Sequence, residues 1–317
     1  MRRPQAQEVA SAALAWLVRY GSQLTNFDPV AAPSEHHQTA VAEHALLLWL
    51  SRRFLAPDDW RSQCEVLQAA VLQAYGAPGF HGFIVHGPPE SSIGALLIRL
   101  GLGEDLAAKI MPRHFLLSTI RQRNVVALER TPTRSLELRL VLDHLDIPND
   151  LPTREVLLAA SMLGREFNEA SLRPTEIYVL THLIAYLTDF GLAKDGLLDG
   201  ATRGIAPKLV ERLIKRMIGE RHWDLVSELI TCGHCLAPLL QSEHQMAWNA
   251  LSETQESDGS FGALATAKTL SATLSDPAEL RYETWLRNYH KCLVTVIAAL
   301  TGMDKAQVPS AQRLVHK

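Results

Sequence analysis

Apolar residues recur at three- and four-residue steps along nearly the whole chain, and alternating strand-like patterns are almost absent. The spacing predicts helices over roughly 6–20, 37–56, 58–75, 91–101, 113–128, 133–145, 153–164, 174–190, 204–219, 222–239, 241–255 and 285–301. Turn chemistry punctuates them. Asn26-Phe27-Asp28-Pro29 closes the first region, Pro57-Asp58-Asp59 opens the third helix, and Gly191 ends the helix that carries Thr181-His182. Three stretches, Ala45 to Leu50, Val179 to Leu187 and Leu293 to Leu300, are apolar on more than one face and read as helices buried on both sides. An all-α fold of about twelve helices in two concentric layers follows, with outer helices shielding inner ones. No repeat of fixed period is evident, and the loops are uneven, which argues against an α-solenoid. No Gly/Ser linker divides the chain, so 1–317 reads as one domain, with an irregular loop at about 256–283 that covers or serves a site.

The segment Gln255-Glu256-Ser257-Asp258-Gly259-Ser260-Phe261-Gly262, followed by an apolar helix that opens Tyr289-His290-Lys291-Cys292, resembles the closing turns of the α/α toroids. That superfamily includes terpenoid cyclases and protein prenyltransferase β subunits, and the overall pattern is similar to that of a little-characterised bacterial toroid family that accompanies small-molecule biosynthesis. The resemblance covers about a tenth of the chain and implies an α/α toroid. It also implies that His290, on the helix with Tyr289, is a zinc ligand at the centre of the ring. Prenyltransferase β subunits take a carboxylate and a thiolate from a segment some tens of residues earlier. Here that region holds Cys232 and Cys235 with no Asp-x-Cys; Asp224 and Glu228 are the nearest preceding acids.

Composition narrows the class. The chain is 47% hydrophobic and 21% charged with a net charge of -3, values of a globular protein with a large core. No basic stripe suggests nucleic acid, and Lys208, Arg212, Lys215 and Arg216 with Glu211 read as a solvated helix face. The run Val9 to Val18 imitates a signal-peptide core. Glu8 adjoins it, Arg19 ends it and no small-x-small site follows, so it reads as the first core helix. No apolar run approaches the ~20 residues of a membrane span. Four scattered cysteines fit a reducing cytoplasm.

Several constellations could carry chemistry. Cys232 and Cys235, three apart on a helix, share a face; with His290 they make a two-thiolate, one-imidazole set whose open fourth position is that of a catalytic zinc. The same cysteines also fit plain core packing or a redox pair. Tyr178, His182, Tyr186 and Asp189 run in phase down an otherwise apolar helix beside Thr181. Such a stripe could line a cavity, with His182 and Tyr178 as catalytic groups, Asp189 orienting them and Tyr186 on the substrate, or could serve only to satisfy its own hydrogen bonds. Glu43, before the buried run Ala45 to Leu50, is a cavity candidate, while Glu35, His36, His37 and His44 read as a solvated helix start. Thr131 and Pro132 open a helix on which Arg134 either pairs with Glu137 or holds an anionic substrate group.

Other chemistries lack their residues. There is no nucleotide-cofactor motif, no Gly-x-Ser-x-Gly elbow and no aspartate-rich cyclase motif, and aromatics are only 6%, too sparse for a carbocation-lined cavity. The expectation is a cytoplasmic enzyme of small-molecule or peptide biosynthesis. Its zinc-dependent group transfer or hydrolysis would use Cys232, Cys235 and His290 for the metal, His182, Asp189 and Tyr178 for catalysis, and Glu43, Arg134, Tyr186 and Tyr289 for substrate. The competing expectation is a non-catalytic helical binding protein for a carrier protein, peptide or partner enzyme.

Overall fold

The structure, a computed structural model, describes residues 3–31, 33–88, 91–193, 200–236 and 241–303. Among the described residues the fold is all-helical: sixteen α-helices, four short 3₁₀ turns and no strand. None of these helices is long and apolar enough to cross a membrane. The chain divides into two compact units. Unit 1 comprises Met1–Val9, Glu129–Thr254 and Ile297–Lys317; unit 2 comprises Ala10–Leu128 and Gln255–Val296. Helices α1 (Arg3–Arg19) and α16 (Tyr289–Thr301) contribute residues to both.

Unit 2 is organised around α2 (Glu35–Arg53). Ser34 caps it by accepting the His37 N–H at 3.2 Å, and its buried residues lie on every face, from His37 and Val41 through His44 and Leu47 to Leu50. Each fully buried leucine contributes about 1.5–3 kcal/mol of burial energy, so a helix enclosed all round is the natural centre of a core. Helix α3 (Asp58–Tyr75) packs on it, as does α5 (Ser91–Leu102). The α5 approach requires glycine: a Cβ at Gly101 would lie 2.2 Å from the Ala45 carbonyl oxygen. Buried Arg99 then ties α5 to α6 (Glu104–Ile110) through the Glu104 carboxylate and the Met111 carbonyl at 2.9 Å. Two further helices, α4 (Pro78–His86) and α7 (Arg113–Gln122), complete the first stretch of this unit.

The segment 256–283, expected to be irregular, holds α14 (Ala263–Leu270) and the start of α15 (Pro277–Leu286). Asp276 accepts the Ala278 N–H at 3.0 Å with Pro277 in the first turn, a complete start signal. The helix expected at 285–301 is two. Helix α15 stops at Leu286 and α16 begins at Tyr289, with Asn288 between them.

In unit 1, α8 (Pro132–His144) and α9 (Arg154–Ala160) lead to α10 (Pro174–Leu187), α11 (Gly200–Glu220), α12 (Trp223–Leu236) and α13 (Gln241–Thr254). Helix α10 packs on α8 and α12, and α11 packs on α12 and α13. The end of α10 comes earlier than its periodicity suggests. Asp189, Phe190 and Gly191 all take left-handed backbone, with φ of 48°, 55° and 80°. The Phe190 N–H reaches back to the Ala185 carbonyl at 2.7 Å, as a Schellman end does.

Candidate functional site

Two residues of unit 2 that lie far apart in sequence meet at α2 and α16. His290 Nδ1 is 3.1 Å from Glu43 Oε2, with side-chain exposures of 30% and 26%. The Tyr289 hydroxyl hydrogen-bonds to the same carboxylate, and burial first, then Glu43, pushes its pKa far up, so the phenol keeps its proton and donates. Stacked on Tyr289 are Trp285, at 5.2 Å between ring centroids, and His44, at 5.6 Å. His44 is fully buried with Nδ1 2.7 Å from the Ala40 carbonyl, and burial lowers its pKa to about 4. It is neutral at ordinary pH.

The Glu256–Gly262 turn is anchored on α1. The Ser260 hydroxyl lies 2.8 Å from the Glu256 carboxylate and 2.6 Å from that of Asp258, which in turn accepts the Trp16 indole N–H at 3.1 Å. Gly259, at φ 91°, sits so close to α1 that a Cβ would be 2.3 Å from the Ala12 carbonyl oxygen. Asn288 donates to the Thr284 carbonyl at 2.8 Å and accepts from Lys291 at 3.2 Å, setting the register at which Tyr289 and His290 leave the turn. Of the residues expected to form a solvated helix start, Glu35 and His36 are exposed, but His37 is buried, its Nε2 2.7 Å from the Leu24 carbonyl and its Nδ1 3.2 Å from the Tyr282 hydroxyl. The apolar positions that follow pull His37 and His44 inward, and backbone carbonyls satisfy them.

In unit 1 the polar residues of α10 divide between two neighbours. Tyr178 donates to Asp224 and Thr181 to Glu228, both on α12. His182 Nε2 lies 4.0 Å from Glu228 Oε1, the imidazole 41% exposed and the carboxylate 8%. Tyr186 stacks on His182 at 5.7 Å. Asp189, expected to orient His182, lies past the end of the helix in the left-handed turn. Its carboxylate is 3.0 Å from His144 Nε2 on α8, in a pair that is almost fully buried. Arg134 pairs with Glu137 at 2.6 Å, the local alternative to holding a substrate anion.

The expected zinc ligands fare differently. Cys232 is fully buried and its thiol donates to the Thr181 carbonyl at 3.6 Å. Burial, with Cys235 and Glu228 adding to it, raises its pKa well above that of an ordinary thiol. Cys235 is partly buried. Among the described residues no group of three or more His, Cys, Asp and Glu side chains that could hold a metal ion is found. Three histidines that the sequence pattern did not single out also make close contacts: His144 meets Asp189, and His234 meets His244, their Nε2 atoms 2.6 Å apart. Only tertiary packing brings these pairs together.

An all-helical protein with carboxylate–imidazole pairs in each of its two units is what the geometry defines. A family model described as Domain of unknown function (DUF6895) matches residues 10–300, and the chain belongs to that family. No curated protein and no solved structure matches it.

Proposed function

We propose that the chain is an acid–base enzyme of small-molecule or peptide biosynthesis, carrying out hydrolysis or group transfer with His290 as the proton-transferring group. The observation that supports this reading is the 3.1 Å contact between His290 Nδ1 and Glu43 Oε2. With Nδ1–H donated to the carboxylate, Nε2 is the nitrogen that takes a proton from a substrate hydroxyl, a thiol or water. Glu43 stabilises the imidazolium that forms, and Nε2–H then protonates the leaving group. Tyr289 spends its hydroxyl on Glu43 and keeps that carboxylate in place. The α/α-toroid architecture belongs to the same proposal, supported by the all-helical content and by the resemblance of the Glu256–Gly262 and Tyr289-His290 segments. No step is routed through zinc, because the described residues offer no ligand group for it.

The test is a panel of activated esters, thioesters and peptide amides, with hydroxyl- and thiol-bearing acceptors, offered to the wild type, His290→Ala and Glu43→Gln. Turnover that falls by about 10²–10⁴-fold in His290→Ala, the usual range for an acid–base group, supports the reading. Turnover that survives in that variant overturns it.

A further inference from the structure

Rings from two segments of unit 2 interleave beside the Glu43–His290 pair. His37 and His44 lie two helical turns apart on α2, and Trp285 and Tyr289 lie one turn apart across the α15–α16 junction. Ring centroids are 5.7 Å apart from His37 to Trp285, 5.2 Å from Trp285 to Tyr289 and 5.6 Å from Tyr289 to His44. The last two contacts are stacked, at interplanar angles of 28° and 29°, so two neighbours set the plane of the Tyr289 ring. The polar atoms of those neighbours show what the rings supply. His44 Nδ1 donates to the Ala40 carbonyl at 2.7 Å, which fixes the imidazole plane, and Nε2 is left buried with no hydrogen-bond partner among the described residues. The buried Trp285 indole N–H also has none among them. An unpaired buried polar atom costs stability, a cost that an aliphatic side chain would avoid. What both residues give in return is a flat face against Tyr289, whose hydroxyl rests on Glu43. The Asn288 amide, donating to the Thr284 carbonyl at 2.8 Å, holds the junction that carries Trp285 and Tyr289.

We propose that His44 and Trp285 are positioning residues that clamp the Tyr289 ring, so that its hydroxyl stays on Glu43 and, through that carboxylate, His290 keeps its orientation. A phenol held by stacked faces keeps one rotamer, and the Glu43 carboxylate keeps two donors on fixed sides, the Tyr289 O–H and the His290 Nδ1–H. Loss of either clamping ring frees the phenol and leaves the carboxylate steadied by the imidazole alone. The whole effect passes through one atom, the Tyr289 hydroxyl oxygen. It must therefore disappear once that oxygen is removed, which plain core packing does not require.

The hydroxyl can be read without any substrate. Proton NMR of the full-length protein in water should show a slowly exchanging tyrosine hydroxyl that is missing from Tyr289→Phe. Trp285→Leu and His44→Leu should each speed its exchange by about tenfold or more while the α5 amides keep their protection. Either variant could lose its fold, so the wild-type signal is an independent check: a Tyr289 hydroxyl without protection overturns the clamp, as does unchanged exchange in a folded variant. The kinetic part rests on the proposed role of His290. Each substitution should lower kcat several-fold at constant KM, yet by less than about twofold in the Tyr289→Phe background. Losses that add in full in that background overturn the proposal. A protein that turns over no substrate, with a hydroxyl whose protection depends on both rings, upholds the clamp and removes only the role of His290.

Discussion

Glu43 and His290 stand 247 positions apart in the chain, yet their side chains meet at 3.1 Å through one oxygen and one nitrogen. The pairing joins the middle of α2 to the opening of α16. It also makes the carboxylate a shared acceptor, for the imidazole and for the Tyr289 phenol.

That sharing predicts a graded series. His290→Ala should lower kcat/KM by about 10²–10⁴-fold, and Glu43→Gln by less, because the amide still accepts a hydrogen bond but stabilises the imidazolium poorly. Tyr289→Phe should fall by the least, acting through Glu43 alone. Steady-state kinetics on any substrate turned over, with circular dichroism to confirm the fold, checks the order.

His44 should make unit 2 acid-sensitive. Its native pKa of about 4 lies below the unfolded value of 6.5, so the neutral ring's contribution is full above pH 6.5 and is lost as pH falls toward 4. The full effect is roughly 3 kcal/mol at 1.36 kcal/mol per unit. His37, lowered by burial in the same direction, adds to it. Urea unfolding at pH 7 and pH 5 should show the loss, and His44→Gln should reduce the slope.

Thiol labelling should separate the cysteine pair. Cys232, fully buried with a raised pKa, should resist iodoacetamide in the native protein, while Cys235 reacts first. Mass spectrometry of the labelled peptide gives the ratio. Equal rates would contradict the packing around Thr181.

Asp189 carries two demands, the His144 contact and a left-handed backbone. Asp189→Ala should destabilise by about 3 kcal/mol, since it breaks a buried pair and leaves His144 without that carboxylate. Asp189→Asn should cost less, because Asn tolerates the left-handed region and still accepts a hydrogen bond. Thermal melts of the two variants settle the order.

The helical periodicity was legible wherever a helix is long and one of its faces is apolar, as in α3, α10 and α12. Short helices such as α6 and α14 escaped it, because seven or eight residues make barely two turns of pattern. Helix α15 escaped for a different reason: its start signal at Asp276-Pro277 was present, but the surrounding Ser, Thr and Gly content read as a loop. Of the chemistry, Glu43, Tyr289 and His290 could each be chosen from the chain, yet nothing in the sequence joined them. The His182 stripe was legible as a helical face, but periodicity is silent on where a helix stops. The left-handed turn after Leu187 therefore carried Asp189 away to His144.

Gly101 touches none of these groups, yet it sets how closely α5 can approach the helix that carries Glu43. Its missing side chain lets α5 rest directly on the α2 backbone at Ala45, two residues beyond Glu43. A side chain there would have to push the two helices apart. The helix that carries the proposed catalytic carboxylate is thus spaced by an inert residue on its neighbour. If Glu43 acts as proposed, substitutions that dull the activity while sparing the reactive groups should be sought first at such spacers.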